Sequence, residues 1–259
     1  MKCFICYNNI SYRMALEIRD ETDLIVTRGD RIFKNKKKNI LVYNLWTKVI
    51  LIFYTFLNVE IVFPHWCHSN FLIVLHKIAR RISYIEDGLD TYRTNPKNIV
   101  VSELKQGANY YHWDLGFEPE KWTKRLKLVP VPFVKQEISA TDLKQLKPLT
   151  KASRICVESP GLQPTKIDDT NMLVITHPSP HKRKPFRNAK RISENTFLDL
   201  ECVLATCRCD ILIGESYTAL ILIAIYKKEN IIIYVDTEIQ ENTPVFLAGK
   251  LPCRVVNTS

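Results

Sequence analysis

An α/β protein made of two Rossmann-like halves is what the sequence predicts, and three observations carry the expectation. Short β-branched runs alternate with helical stretches, once in the first part of the chain and again in the last. A proline-bearing stretch without periodicity lies between the two alternations. In both halves polar residues follow apolar strands at once, which is where open α/β sheets bind ligands.

The first alternation opens with the apolar run Lys2 to Tyr7, followed by Ser11 to Ile18 with helical potential. Asp23 to Val26 and Ile40 to Tyr43 read as strands, and Val59 to Phe63 as another. Asn70 to Arg81 carries Phe71, Val74, Leu75 and Ile78 at helical spacing, and Ser83-Tyr84-Ile85 is a short strand running into Glu86-Asp87-Gly88. Ile40 to Pro64 is the most apolar region, but Asn44, Lys48, Asn58 and Glu60 interrupt it. Its longest clean run, Val49 to Leu57, is too short to span a bilayer, so it reads as a buried helix followed by a strand.

Leu126 to Leu149 carries Pro130, Pro132 and Pro148 among scattered lysines and reads as a linker. The expected organisation is therefore an N-terminal α/β domain over 1–128, a linker over 129–150 and a Rossmann-like domain over 151–259. In the last of these, Arg154 to Val157 and Met172 to Thr176 read as buried strands. Thr196 to Thr206 reads as a helix, Asp210 to Ile213 as a strand, Glu215 to Lys228 as an apolar helix and Ile231 to Val235 as a strand.

Composition narrows the function classes. The chain has 259 residues, 46% of them hydrophobic and 25% charged, enough to bury a core without disulfides or metal. Several of the eight cysteines sit in apolar runs, where a reduced thiol packs as a small hydrophobe, so a reducing cytoplasm is expected. Cys3-x-x-Cys6 and Cys207-x-Cys209 lack the further ligands that zinc requires, so no metal site is expected. Met1 to Glu17 has neither the apolar core nor the small-residue cleavage site of a signal peptide.

The formal net charge is +10, with basic clusters at Arg31 to Lys38 and His181 to Lys184. The Lys34 to Lys38 and Lys182 to Lys184 runs suit an anionic membrane surface, and their plain reading is a solvated face. No zinc finger, RNA-recognition signature or basic zipper accompanies them, so nucleic acid is not the expected partner. The oligomeric state stays open, a homodimer included.

Three strand ends are placed to carry chemistry. The first is Tyr84-Ile85-Glu86-Asp87-Gly88, whose acids offer a general base to an acceptor hydroxyl or else cap a turn. The second is Leu173 to Thr176 running into His177-Pro178, where a histidine fixed by the following proline suits protonation of a leaving group or else packs in a loop. The third is Asp210 to Ile213 followed by Gly214-Glu215-Ser216-Tyr217-Thr218. Strand, glycine, hydroxyls and helix make a receptor for phosphate, and a hydroxyl N-cap is the plain alternative. Pro64-His65-Trp66-Cys67-His68 and Tyr110-Tyr111-His112-Trp113 either line a sugar cleft or pack on the core.

In their order along the chain, Glu86-Asp87-Gly88, His177-Pro178 and the Ser216/Thr218 region resemble the motifs of the bacterial sialyltransferases. These comprise the lipooligosaccharide sialyltransferases of glycosyltransferase family 52 and the capsule polysialyltransferases. Phe4-Ile5-Cys6-Tyr7 also looks like their opening strand. The resemblance implies a GT-B-like fold with the active site in the cleft between the two domains. It further implies an inverting, metal-independent transfer of sialic acid from CMP-sialic acid to a glycan or glycolipid hydroxyl, with no cofactor, at the cytoplasmic face of the membrane.

On that resemblance Glu86 is the first choice as base and Asp87 the second, and His177, next to Pro178, meets the departing CMP phosphate. Gly214, Ser216 and Thr218 hold the phosphate, and an acid on the preceding helix, Glu201 or else Asp199, binds the ribose. Two features depart from the family: Tyr217 separates Ser216 from Thr218, and only about 90 residues lie between the acidic and His-Pro motifs. The alternatives are a transferase for another CMP-sugar such as CMP-Kdo, or a non-catalytic basic binding protein.

Overall fold

The computed structural model describes residues 1–27, 39–65, 69–92, 104–116, 118–119, 121–135, 147–149, 151–159, 162, 167–177, 186–193, 197–235, 249 and 251–257. The chain divides into two compact units, Met1–Pro132 and Phe133–Ser259.

Unit 1 begins with β1 (Lys2–Cys6), α1 (Asn9–Ile18), β2 (Leu24–Thr27), β3 (Ile40–Val42) and α2 (Leu45–Phe56). It continues with β4 (Glu60–Pro64), α3 (Asn70–Ile78), β5 (Arg81–Ile85), β6 (Asn109–Trp113) and β7 (Lys127–Val131). The seven strands form one sheet in the order β3-β2-β1-β4-β5-β6-β7, and each neighbouring pair is parallel. Parallel strands are covered on both faces, so Ile5, Ile61, Phe63 and Tyr84 are buried in one core cluster while the alternate residues Phe4, Val62 and Ile85 are buried too.

Caps fix where the helices begin. Asn8, Asn44 and Ser69 each accept a backbone N–H from the first turn of α1, α2 and α3. Asn44 and Thr47 complete a reciprocal capping box, and α2 stops where Asn58 turns left-handed at φ 57°.

Unit 2 contains β8 (Arg154–Val157), β9 (Met172–Thr176), β10 (Lys190–Ser193), α4 (Phe197–Thr206), β11 (Asp210–Gly214), α5 (Tyr217–Ala224), β12 (Ile231–Val235) and β13 (Arg254–Asn257). Its six strands are parallel in the order β10-β9-β8-β11-β12-β13. Both sheets thus follow the doubly wound pattern, in which strand order reverses beside the first strand of the unit. The reversal lies between β1 and β4 in unit 1 and between β8 and β11 in unit 2.

Three expectations change. The stretch expected to start a linker at 129 instead continues β7, an edge strand that tolerates Pro130 because its outer side needs no ladder partner. The apolar helix expected over Glu215 to Lys228 is α5 alone, ending at Ala224. The helix expected to be buried, α2, hides only Thr47, Leu51 and Thr55. Six of its apolar residues, Leu45, Trp46, Val49, Ile52, Phe53 and Phe56, are exposed, because the side that meets the core is Thr47, Leu51 and Thr55 with Ile50 and Tyr54 packed beside them. No described helix is long and apolar enough to cross a membrane.

The described cysteines are free thiols. Burial pushes the Cys3 and Cys156 thiols up to about 12 and Cys207 to about 11, and it raises Cys6 further still. The thiolate is the reactive form, so these sites stay inert at pH 8 while the protein is folded. Site-mapped alkylation of the native protein at that pH is therefore expected to label the half-buried Cys209 and Cys253 well before Cys3, Cys6, Cys156 and Cys207. Equal labelling of all six would contradict the packing of both sheets.

Candidate functional site

At the carboxyl end of the first sheet, β5 runs into Glu86, Asp87 and Gly88. The last of these adopts φ 150°, a backbone conformation that L side chains avoid, so the turn requires glycine. The Gly88 carbonyl accepts the Thr91 N–H at 3.1 Å, which folds the chain directly into the short helix Leu89–Tyr92.

The two acids face different surroundings. Glu86 has no exposed surface: the Trp113 N–H donates to its Oε2 at 2.9 Å, and the Tyr92 hydroxyl donates to the same oxygen at 3.1 Å. Burial, with the Glu86 carboxyl close behind, drives the Tyr92 phenol well above its usual range and keeps it a donor. The Asp87 side chain is 8% exposed, and its Oδ1 lies 3.0 Å from Nε2 of His65, the residue directly after β4.

His65 is itself buried, with Nδ1 3.1 Å from the Tyr110 hydroxyl, which in turn lies 2.9 Å from Thr91 Oγ1. The nitrogen that faces the carboxylate carries a proton, and Nδ1 shares a hydrogen bond with the Tyr110 hydroxyl. Asp87, His65, Tyr110 and Thr91 therefore form one chain of polar groups. The Asn8 side chain ties this loop to the switch point by donating to the Asp87 carbonyl. The two carboxyls thus differ in their partners: Glu86 is fully buried and bound by Trp113 and Tyr92, and the Asp87 side chain faces His65.

In the second sheet the ends of β8, β9 and β11 lie side by side. Glu158, directly after β8, accepts the His177 N–H on Oε2 at 2.8 Å and Arg191 Nη1 on Oε1 at 2.8 Å. Ser159 bridges the strand-order reversal: its Oγ accepts the Gly214 N–H at 2.7 Å and donates to the Val157 carbonyl at 3.2 Å. These contacts bring His177 and Gly214 to the same end of one sheet, with the N-terminus of α5 following at once.

Ser216 is the N-cap of α5, its Oγ accepting the Ala219 N–H at 3.3 Å. Its hydroxyl proton stays available to an acceptor. Thr218 sits buried in the first turn. Glu201 lies on α4 with only 2% of its surface exposed, a burial that does not favour the expected ribose contact. Pro178, the Asp199 side chain and both lysine clusters lie outside the described residues. Tyr110-Tyr111-His112-Trp113 forms the buried strand β6 and packs as core.

Sequence reasoning passed over Glu158, Ser159 and Arg191 and left His65 and Tyr110 undecided. Glu158-Ser159 has the same signal as the three chosen places, polar residues directly after an apolar strand, and was legible on that ground. The His65–Asp87 pairing joins residues from adjacent strands and needs the strand order to be seen. Among the described residues no group of His, Cys, Asp and Glu is arranged to hold a metal ion. Comparison with family models, curated proteins and solved structures returned no match.

Proposed function

We propose that the protein is a metal-independent, inverting sialyltransferase of GT-B type, moving sialic acid from CMP-sialic acid to a glycan hydroxyl. The observation that carries this reading is the Asp87 carboxylate, which stands at a strand end 3.0 Å from a buried imidazole and keeps 8% of its side chain exposed where Glu86 keeps none. A carboxylate beside an imidazole at a strand end is placed to take the proton of an acceptor hydroxyl, which is what a general base does.

In this reading unit 1 supplies the base and unit 2 binds the nucleotide. The acceptor oxygen bonds to the anomeric carbon as its proton passes to Asp87, and the bond from that carbon to the CMP phosphate oxygen breaks. CMP leaves as a phosphate monoester whose added charge is met by His177, the Ser216 hydroxyl and the first N–H groups of α5. Glu158 and Arg191 act on His177 indirectly, by holding its backbone N–H where the imidazole leaves the strand. Glu158 and Arg191 are thus positioning residues.

The test is a donor screen read by released CMP. CMP-sialic acid with a galactose-terminated acceptor is expected to release CMP at a rate that depends on the acceptor and is unchanged by EDTA. Release from CMP-Kdo alone would move the assignment to a different CMP-sugar. No release from either donor would sink the reading.

A further inference from the structure

Helix α2 is built inside out. Thr47, Leu51 and Thr55 form its buried stripe, and Leu51 joins the core cluster. Both threonine hydroxyls donate to carbonyls of the preceding turn, Thr47 to Asn44 at 2.8 Å and Thr55 to Ile52 at 2.7 Å, so the stripe is satisfied within the helix. On the opposite side Leu45, Trp46, Val49, Ile52, Phe53 and Phe56 are exposed. At 100° per residue they fill an arc of roughly 120° with no polar residue inside it. Trp46 is 77% exposed, Phe56 70% and Phe53 58%, and Val74 and Ile78 of α3, which packs against α2, are exposed as well. A contiguous apolar surface of this kind on a protein marks a place of contact.

Charge identifies the partner. From Asn39 to Arg81 the only acid is Glu60, and it is engaged with Arg81 and Ser83. The same stretch carries Lys48, Lys77, Arg80 and Arg81. Lys48 lies over the rings of Tyr43 and Phe71 at 5.5 Å and 5.6 Å, at the border of the apolar arc. A second copy meeting this patch about a two-fold axis would bring together two surfaces that carry Lys48 and offer no acid from this stretch to pair with it. A surface of anionic headgroups over acyl chains matches both the charge and the apolarity.

We propose that this face of α2 inserts into the interfacial layer of an anionic bilayer, with the helix axis in the membrane plane. A twelve-residue helix is about 18 Å long against a hydrocarbon core of about 30 Å, so it lies in the interface and does not span. Trp46 suits the headgroup level, and Phe53 and Phe56 the acyl boundary. This attachment differs from attraction by surface lysines, because burial of apolar surface survives salt while the screening length falls to roughly 3 Å at about 1 M. It is also independent of sugar transfer, and its test needs no activity.

The full chain is mixed with sedimentable vesicles, either pure phosphatidylcholine or about one quarter phosphatidylglycerol by composition. Binding to the anionic vesicles is expected, with a substantial part retained at about 1 M salt. The Phe53→Ser/Phe56→Ser variant is expected to bind roughly tenfold or more weakly. These side chains are mostly exposed and lie outside the core cluster, so the variant is expected to keep its melting temperature within a few degrees. In the unmodified protein, brominated lipid is expected to quench a tryptophan signal that Trp46→Phe removes, a readout that does not depend on the double variant folding. No binding to anionic vesicles, complete loss of binding at high salt, or unchanged binding by the double variant overturns the proposal. So does a dimer that the double variant dissociates in the absence of any vesicle binding, which would assign the face to a second copy.

Discussion

Asp87→Asn is expected to lower CMP release from CMP-sialic acid by about a thousandfold, the scale of a lost general base. An amide oxygen still faces His65 Nε2, so the loop keeps its shape and the melting temperature stays within a few degrees. The substitution removes only the capacity to take a proton. Because the proposed CMP contacts all lie in unit 2, the donor KM is expected to hold while kcat falls. Turnover at the wild-type rate would exclude Asp87 as base. A parallel loss of donor affinity would instead mean that Asp87 binds the sugar.

How much of this was legible depended on whether the signal was local. The strands β1, β4, β5, β8, β9, β11 and β12 are apolar runs, because each lies inside a parallel sheet with both faces covered. Sequence reading missed β7, β10 and β13, and each lies at a sheet edge, where Lys-Leu-Val-Pro-Val, Lys-Arg-Ile-Ser and Arg-Val-Val-Asn suffice. Interior β6 was missed for another reason: Asn-Tyr-Tyr-His-Trp fills its space with aromatic rings and carries no aliphatic run.

The site divides in the same way. Strand-end acids, His177 and the Ser216 cap were visible because each follows its own strand. The distinction between Glu86 and Asp87 was not, since it turns on Trp113 and Tyr92 reaching one carboxyl and His65 the other. Alternating pleat sends adjacent residues to different surroundings, and only the neighbouring strands reveal what each one meets. The outward face of α2 was hidden for a related reason: an apolar helix reads as buried until Thr47, Leu51 and Thr55 are seen to be the stripe that packs.

Glu86→Ala is expected to cost unit 1 about 3–5 kcal/mol, because it leaves two donors without their acceptor in a place no water reaches. The Trp113 N–H and the Tyr92 hydroxyl converge on one oxygen, Oε2, and both residues are almost fully buried. A drop in melting temperature on the order of 10 °C follows from that cost. Glu86→Gln separates this framework role from a catalytic one. A glutamine carbonyl oxygen has two lone pairs and accepts both donors where Oε2 does now, so the variant is expected to lose only about 1 kcal/mol and to keep most of its turnover. If Glu86 were the base, the same change would abolish transfer while sparing the fold. Thermal melts and CMP release measured on Glu86→Ala, Glu86→Gln and Asp87→Asn together therefore assign the two acids. A stable Glu86→Gln protein without activity would return the base to Glu86.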